Sequence, residues 1–182
     1  MPPKPEPVVK LSREAMAERV AWWKDLKPNP AMFLDTRIPD YERDLYAVIG
    51  PGVSEDPDTD PPIKDAQDFN IAYIGADPGK GASLHSHPTV EVFIPLSGSW
   101  AIYWGEGDEQ QEFILEPWDC ISVPPGVMRG FRNNGDEHAY MIGIVGGADS
   151  GKVEWAESII DRAARTGMKL DDLGNLVVEA AE

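Results

Sequence analysis

A chain of 182 residues, 42% hydrophobic and 26% charged, can bury one good core and is too short for two full domains. Its 32 acidic against 16 basic residues give a formal net charge of −16, which excludes binding to a nucleic-acid backbone and disfavours an anionic membrane surface. The single cysteine, Cys120, excludes an intramolecular disulfide; with no secretory apolar stretch in "MPPKPEPVVK" and no run near the ~18 apolar residues of a membrane span, the chain is expected to be cytoplasmic.

Residues 1–10, rich in proline and charge, read as a disordered tail. An N-terminal helix and strand extension follows at 11–68. In "SREAMAERVAWWKDL", Ser12 is placed as N-cap, Glu14 falls in the first turn, and Met16, Val20 and Trp23 form an apolar stripe that ends before Pro28. "PGVSEDPDTDPP", residues 51–62, reads as an exposed acidic loop without calcium-ligand spacing.

From 69 to 147 short strand-forming runs alternate with glycine, proline and aspartate, the pattern of an all-β antiparallel sandwich or barrel. In "SWAIYW" the alternation puts Trp100, Ile102 and Trp104 on one face as a core stripe, with Ala101 and Tyr103 on the other. Cys120 reads as a small buried strand residue. Residues 148–182 read as a helical segment: "KVEWAESIIDRAARTG" sets Val153, Ala156, Ile159, Ile160 and Ala163 at helical spacing, with Gly167 as the stop.

The chemistry is concentrated in "GKGASLHSHPTVEVFIPLSG", residues 79–98. On an extended strand His85 and His87 face the same way about 6.6 Å apart, close enough to share one cation. Glu91 has the same parity but would lie about 20 Å from His85 on a straight strand. Pro88 ends ladder pairing and offers the reversal that brings Glu91 back beside the imidazoles. Two imidazoles and one carboxylate with open positions suit Fe(II), with Mn, Ni, Co or Zn as alternatives.

This segment resembles the first motif of the cupins through Gly79, His85, His87, Glu91 and Gly98 at matching spacings, and "WDCISVPPGVMRGFRN" resembles the second in Pro124, Gly126 and Asn133. Trp118 stands where that motif opens with glycine, and Arg129 stands where a fourth ligand histidine is expected. The resemblance implies a double-stranded β-helix, the cupin jelly-roll barrel, at 69–147, with flanking N- and C-terminal α-helices. It also implies a metal at the barrel mouth and a homodimer joined through sheet edges.

An arginine cannot ligate a metal, so Arg129 must meet an anion. In the first reading His85, His87 and Glu91 hold the metal and Arg129 clamps an anionic small-molecule substrate, in a non-haem oxygenase acting on a carboxylated or aromatic compound. In the alternative reading Arg129 pairs with Glu91 and replaces the metal charge, giving a metal-free ligand-binding or sensory barrel. Tyr73 and Tyr103 are candidate pocket residues whose ordinary role is barrel packing. His138 is a candidate fourth ligand whose ordinary place is a strand end. A specific nucleic-acid role is not expected, because the early helix has no second helix at turn spacing.

Overall fold

The computed structural model describes residues 8–178, so most of the tail expected at 1–10 and the last four residues lie outside the described residues. The barrel strands in chain order are β1 (Asp44–Ile49), β2 (Phe69–Ala76), β3 (Gly81–Ser86), β4 (Glu91–Pro95) and β5 (Trp100–Trp104), then β6 (Gln111–Leu115), β7 (Ile121–Val123), β8 (Arg129–Asn133), β9 (Ala139–Gly146) and β10 (Glu154–Trp155). They form two five-stranded sheets, ordered β1-β2-β9-β4-β7 and β10-β3-β8-β5-β6, in which neighbouring strands pair antiparallel. This is the all-β double-stranded β-helix that the resemblance implies, with β1 and β10 joining the sheets from outside 69–147.

Period-two alternation explains why these runs stack. In β9, Ala139, Met141, Gly143 and Val145 are buried while the residues between them are half-buried. The inward residues meet in one core, where Phe131 lies edge-on to Phe93 and Trp100 with ring centroids 5.3 and 6.0 Å away. Trp100 and Ile102 join that core as expected. Trp104, the third member of the stripe, is half-buried and tilts against Phe113.

The expected N-terminal helix is much shorter. Ser12 caps it, accepting from the Ala15 amide at 3.1 Å, but α1 covers only Arg13–Ala17. Helices of this length need tertiary packing to persist, and Met16 is 52% exposed. Trp23 instead sits in a 3₁₀ turn and packs on the outside of the first sheet, against Tyr46 and Tyr140.

The C-terminal segment is likewise only partly helical. Helix α2 spans Glu157–Ala164 and buries Ile159 and Ala163 in a small core with Leu34 and Ile38. Val153 belongs to a separate cluster with Val53 and Val145, Ala156 is the N-cap, and Ile160 is exposed. Apolar residues at helical spacing thus serve two different elements. Gly167 does end the helix, with φ 77°, and a hairpin of β11 (Met168–Leu170) and β12 (Leu176–Val178) follows.

Two further details matter. Cys120 is exposed rather than buried, because it precedes β7, a short strand at the sheet edge. Trp118 has φ 77° and is 77% exposed, so the left-handed turn that glycine would make is kept by a bulky residue. No helix among the described residues is long and apolar enough to cross a membrane.

Candidate functional site

The chain reverses where Pro88 predicts. His85 lies on β3 in the second sheet, His87 follows the strand, and Glu91 opens β4 in the first sheet. The site therefore spans the two sheets. One ligand atom from each of His85, His87 and Glu91 lies within 4.8 Å of the others, and all three residues are buried. By spacing and donor type this cluster could hold a metal ion.

Both imidazoles are held by their outer nitrogens. Nδ1 of His85 donates to the Ser83 carbonyl at 2.7 Å, and Nδ1 of His87 to Thr89 Oγ1 at 3.1 Å, whose hydroxyl in turn donates to the Ser150 carbonyl. Those acceptors fix the proton on Nδ1 and leave the Nε2 lone pairs for the site, the arrangement that metal-binding histidines use. Burial and the nearby charge of Arg129 hold the His85 imidazole down at about 4, so it is neutral at pH 7.

Arg129 lies on β8 directly opposite His85 and is 1% exposed. Its Nε and Nη2 donate to the same Glu91 oxygen, Oε2, at 3.0 and 2.6 Å. Nη2 also donates to His87 Nε2, and Nη1 to the carbonyls of His85 and Val127. Burial alone would push the Glu91 carboxyl up, yet the His87 contact and the guanidinium bring it down to about 2. The donor set fits a metal; the guanidinium already lies on two of its three atoms. Arg129 is turned inward onto Glu91 and is not free to clamp a substrate carboxylate.

Below the cluster is a mainly apolar cavity of about 60 Å³ that His85 and Glu91 share with Met32, Leu45, Phe131 and Trp155. Tyr73 and Tyr103 do not line it. Tyr73 faces outward against Trp23, and Tyr103 donates its hydroxyl to the Ala82 carbonyl at 2.5 Å, with burial pushing the phenol well up. His138 is also elsewhere, at the surface beside Asp77, and does not supply a fourth ligand.

Two supports had no signal in the sequence. Asp35 and Arg43 form a buried ion pair at 2.9 Å, and Asp35 accepts from both the amide and the hydroxyl of Ser83, the residue that holds His85. Trp155 lies 5.3 Å from the His85 ring, tilted by 40°, and donates to Glu55 at 2.6 Å, while the Leu34 amide donates to the other oxygen of that carboxylate. Each support joins the extensions to the barrel, and only long-range folding brings its members together.

Residues 73–145 match the family profile described as "Cupin domain". A protein of Arabidopsis thaliana named as germin-like protein subfamily 1 member 2 is 27% identical over 94 residues, which is 49% of this chain and 41% of that one. Among solved structures, the oxalate decarboxylase of Lactobacillus farciminis in complex with formate superposes with TM-score 0.54 at 16% identity, covering 76% of this chain and 36% of that one. Peruvianin-I, described as a cysteine peptidase from Thevetia peruviana latex, gives TM-score 0.55 at 14% identity, covering 77% and 78%. These two likenesses are of fold alone, and the chain spans less than half the length of the Arabidopsis relative. The matched segment lies within the two-sheet barrel and carries the His85–His87–Glu91 cluster, so residues 73–145 are similar to a cupin domain in sequence and in fold.

Proposed function

We propose that the barrel binds a small, largely apolar organic molecule without a metal, with the Arg129 guanidinium standing in for the cation. The observation that carries this reading is the placement of Arg129: Nε and Nη2 both donate to Glu91, and Nη2 also faces His87 Nε2. A guanidinium is permanently charged, so a divalent ion at the same atoms would face an uncompensated positive neighbour in a buried site. The carboxylate is already neutralised. The His85 Nε2 lone pair is then an acceptor for the hydroxyl or amine of a ligand of only a few heavy atoms, beside the mainly apolar cavity of about 60 Å³.

A second reading has its own support. Both histidines are oriented through Nδ1 as metal ligands are, and one ligand atom of each converges with Glu91 within 4.8 Å. In that reading Arg129 swings away to admit a divalent metal, Fe(II) first, and the protein is a metal-dependent small-molecule enzyme. The metal would supply a Lewis acid with open positions, and Arg129 would be freed to hold an anionic substrate.

Elemental analysis of untagged protein separates the two. Metal-free binding expects well under one equivalent in the parent and a clear gain in Arg129→Ala, where Glu91 is released. Near-stoichiometric metal in the parent, lost in His87→Ala, would overturn it in favour of the enzyme.

A further inference from the structure

Arg43 immediately precedes β1, and its side chain is only 3% exposed. Nη1 donates to the carbonyls of Tyr41 and Gly81 at 2.9 and 3.0 Å, and Nη2 pairs with Asp35 at 2.9 Å. Nε is buried and has no hydrogen-bond partner among the described residues. A buried donor without an acceptor is costly and uncommon in folded proteins, so its place in the fold matters. Arg43 lines the cavity that His85 and Glu91 share, and its guanidinium carbon lies 5.5 and 5.8 Å from the ring centres of Phe33 and Phe131, both on the cavity wall. Asn70, another polar lining residue, uses its amide on Gly52, Gly147 and Ser150.

We infer, on the reading of the barrel as a metal-free binder, that Arg43 Nε anchors the acceptor oxygen of the ligand and that the ligand is a short neutral carbonyl compound, not a carboxylate. Charge selects the class. Among the described residues lining the cavity Arg43 is the one cation, and Asp35 already neutralises it. Arg129 occupies Oε2 of Glu91, while Oε1 lies toward the cavity: a Cβ on Gly143, itself a lining residue, would sit 3.9 Å from it. A ligand carboxylate would meet that carboxylate where little water screens the two charges. A neutral carbonyl accepts from Nε without that repulsion, and an N–H of the same molecule suits the acceptors at His85 and Glu91.

Size narrows the class further. The cavity of about 60 Å³ is well below the roughly 150 Å³ that admits a benzene ring, so a few heavy atoms fill it. A small primary amide carries the carbonyl and the N–H within that size.

Nuclear magnetic resonance of isotope-labelled protein tests this with acetamide and with acetate, which have the same shape and differ in charge. The Met32 methyl, on the cavity wall, reports entry, and the Arg43 Nε–H proton reports the hydrogen bond. Acetamide is expected to move both signals, the Nε–H downfield, with one millimolar-range dissociation constant, and acetate to bind at least about tenfold more weakly. Arg43→Lys keeps a cation beside Asp35 without Nε and is expected to weaken acetamide roughly tenfold. Should that variant unfold, the parent's Nε–H signal still decides. Acetamide that moves Met32 and leaves Nε–H unchanged, acetate that binds as tightly, or a folded Arg43→Lys with the parent's affinity would overturn the role of Arg43 while the metal-free binding reading stands. Silence of both signals toward acetamide would overturn the ligand class, and metal content alone would overturn the metal-free reading.

Discussion

Arg129 and Glu91 belong to opposite sheets, yet two nitrogens of the arginine reach one oxygen of the glutamate, at 3.0 and 2.6 Å. The pair thus bridges the sandwich at the point where the site is built. Removing one partner of a buried pair leaves the other charge uncompensated, at a cost of about 3–5 kcal/mol. Arg129→Met is expected to lose that much in urea unfolding, and Arg129→Met/Glu91→Leu much less. A double variant whose loss equals the sum of the singles would show that the two side chains do not interact.

Stability between pH 4.5 and 6.5 should be nearly flat in the parent, because two buried groups oppose each other. Burial pushes the Glu55 carboxyl up from 4.5 to about 7, against the hydrogen bonds from Trp155 and Leu34. Its contribution is therefore full below 4.5 and lost as pH rises through about 7. His85 is a base held down from 6.5 to about 4, so its contribution is full above 6.5 and lost as pH falls through about 4. Each amounts to roughly 3 kcal/mol at about 1.4 kcal/mol per pH unit. Glu91, lowered to about 2, adds a loss only below about 4.5. In Glu55→Gln the offset is gone, and chemical denaturation should show stability falling by about 2–3 kcal/mol on acidification from pH 7 to 4.5. A variant with the parent's pH profile would mean that Glu55 does not titrate in this range.

Gly130 and Tyr103 test whether that tyrosine packs the sheet. A Cβ on Gly130 would lie 2.4 Å from Tyr103 Cζ, so Gly130→Ala should cost about 1–3 kcal/mol by overpacking. Adding Tyr103→Leu should recover most of it in thermal unfolding, while Tyr103→Phe, which keeps the ring, should not. Equal recovery by both would place the conflict at the hydroxyl alone.

Trp118 has the left-handed backbone of a glycine turn while its side chain is largely exposed, so the residue strains the turn and packs little. Trp118→Gly is expected to raise stability by about 0.5–1 kcal/mol. A loss on calorimetry would show that the indole makes a contact worth more than the strain.

The sequence by itself pointed to an all-β sandwich or barrel and to the convergence of His85, His87 and Glu91. Period-two alternation in runs such as "AYMIGIVGG", with glycine and proline between them, can be satisfied only by strands with one buried face, and Pro88 forces the reversal between His87 and Glu91. Helix extent was not legible, because Met16 and Val20 stay exposed while Trp23 packs on the first sheet from a separate 3₁₀ turn, and the apolar residues from Val153 to Ala163 were divided between two separate core clusters. Which anion Arg129 meets was also undecided, since spacing fixes the position of a side chain and not the direction of its charge. Tertiary structure decided it by closing the two sheets on each other: this put the guanidinium on Glu91, turned Tyr73 outward, and brought Asp35 and Glu55 from the N-terminal extension to brace Ser83 and Trp155 around His85. Such contacts join residues far apart in the chain, and no local pattern encodes which of them will meet.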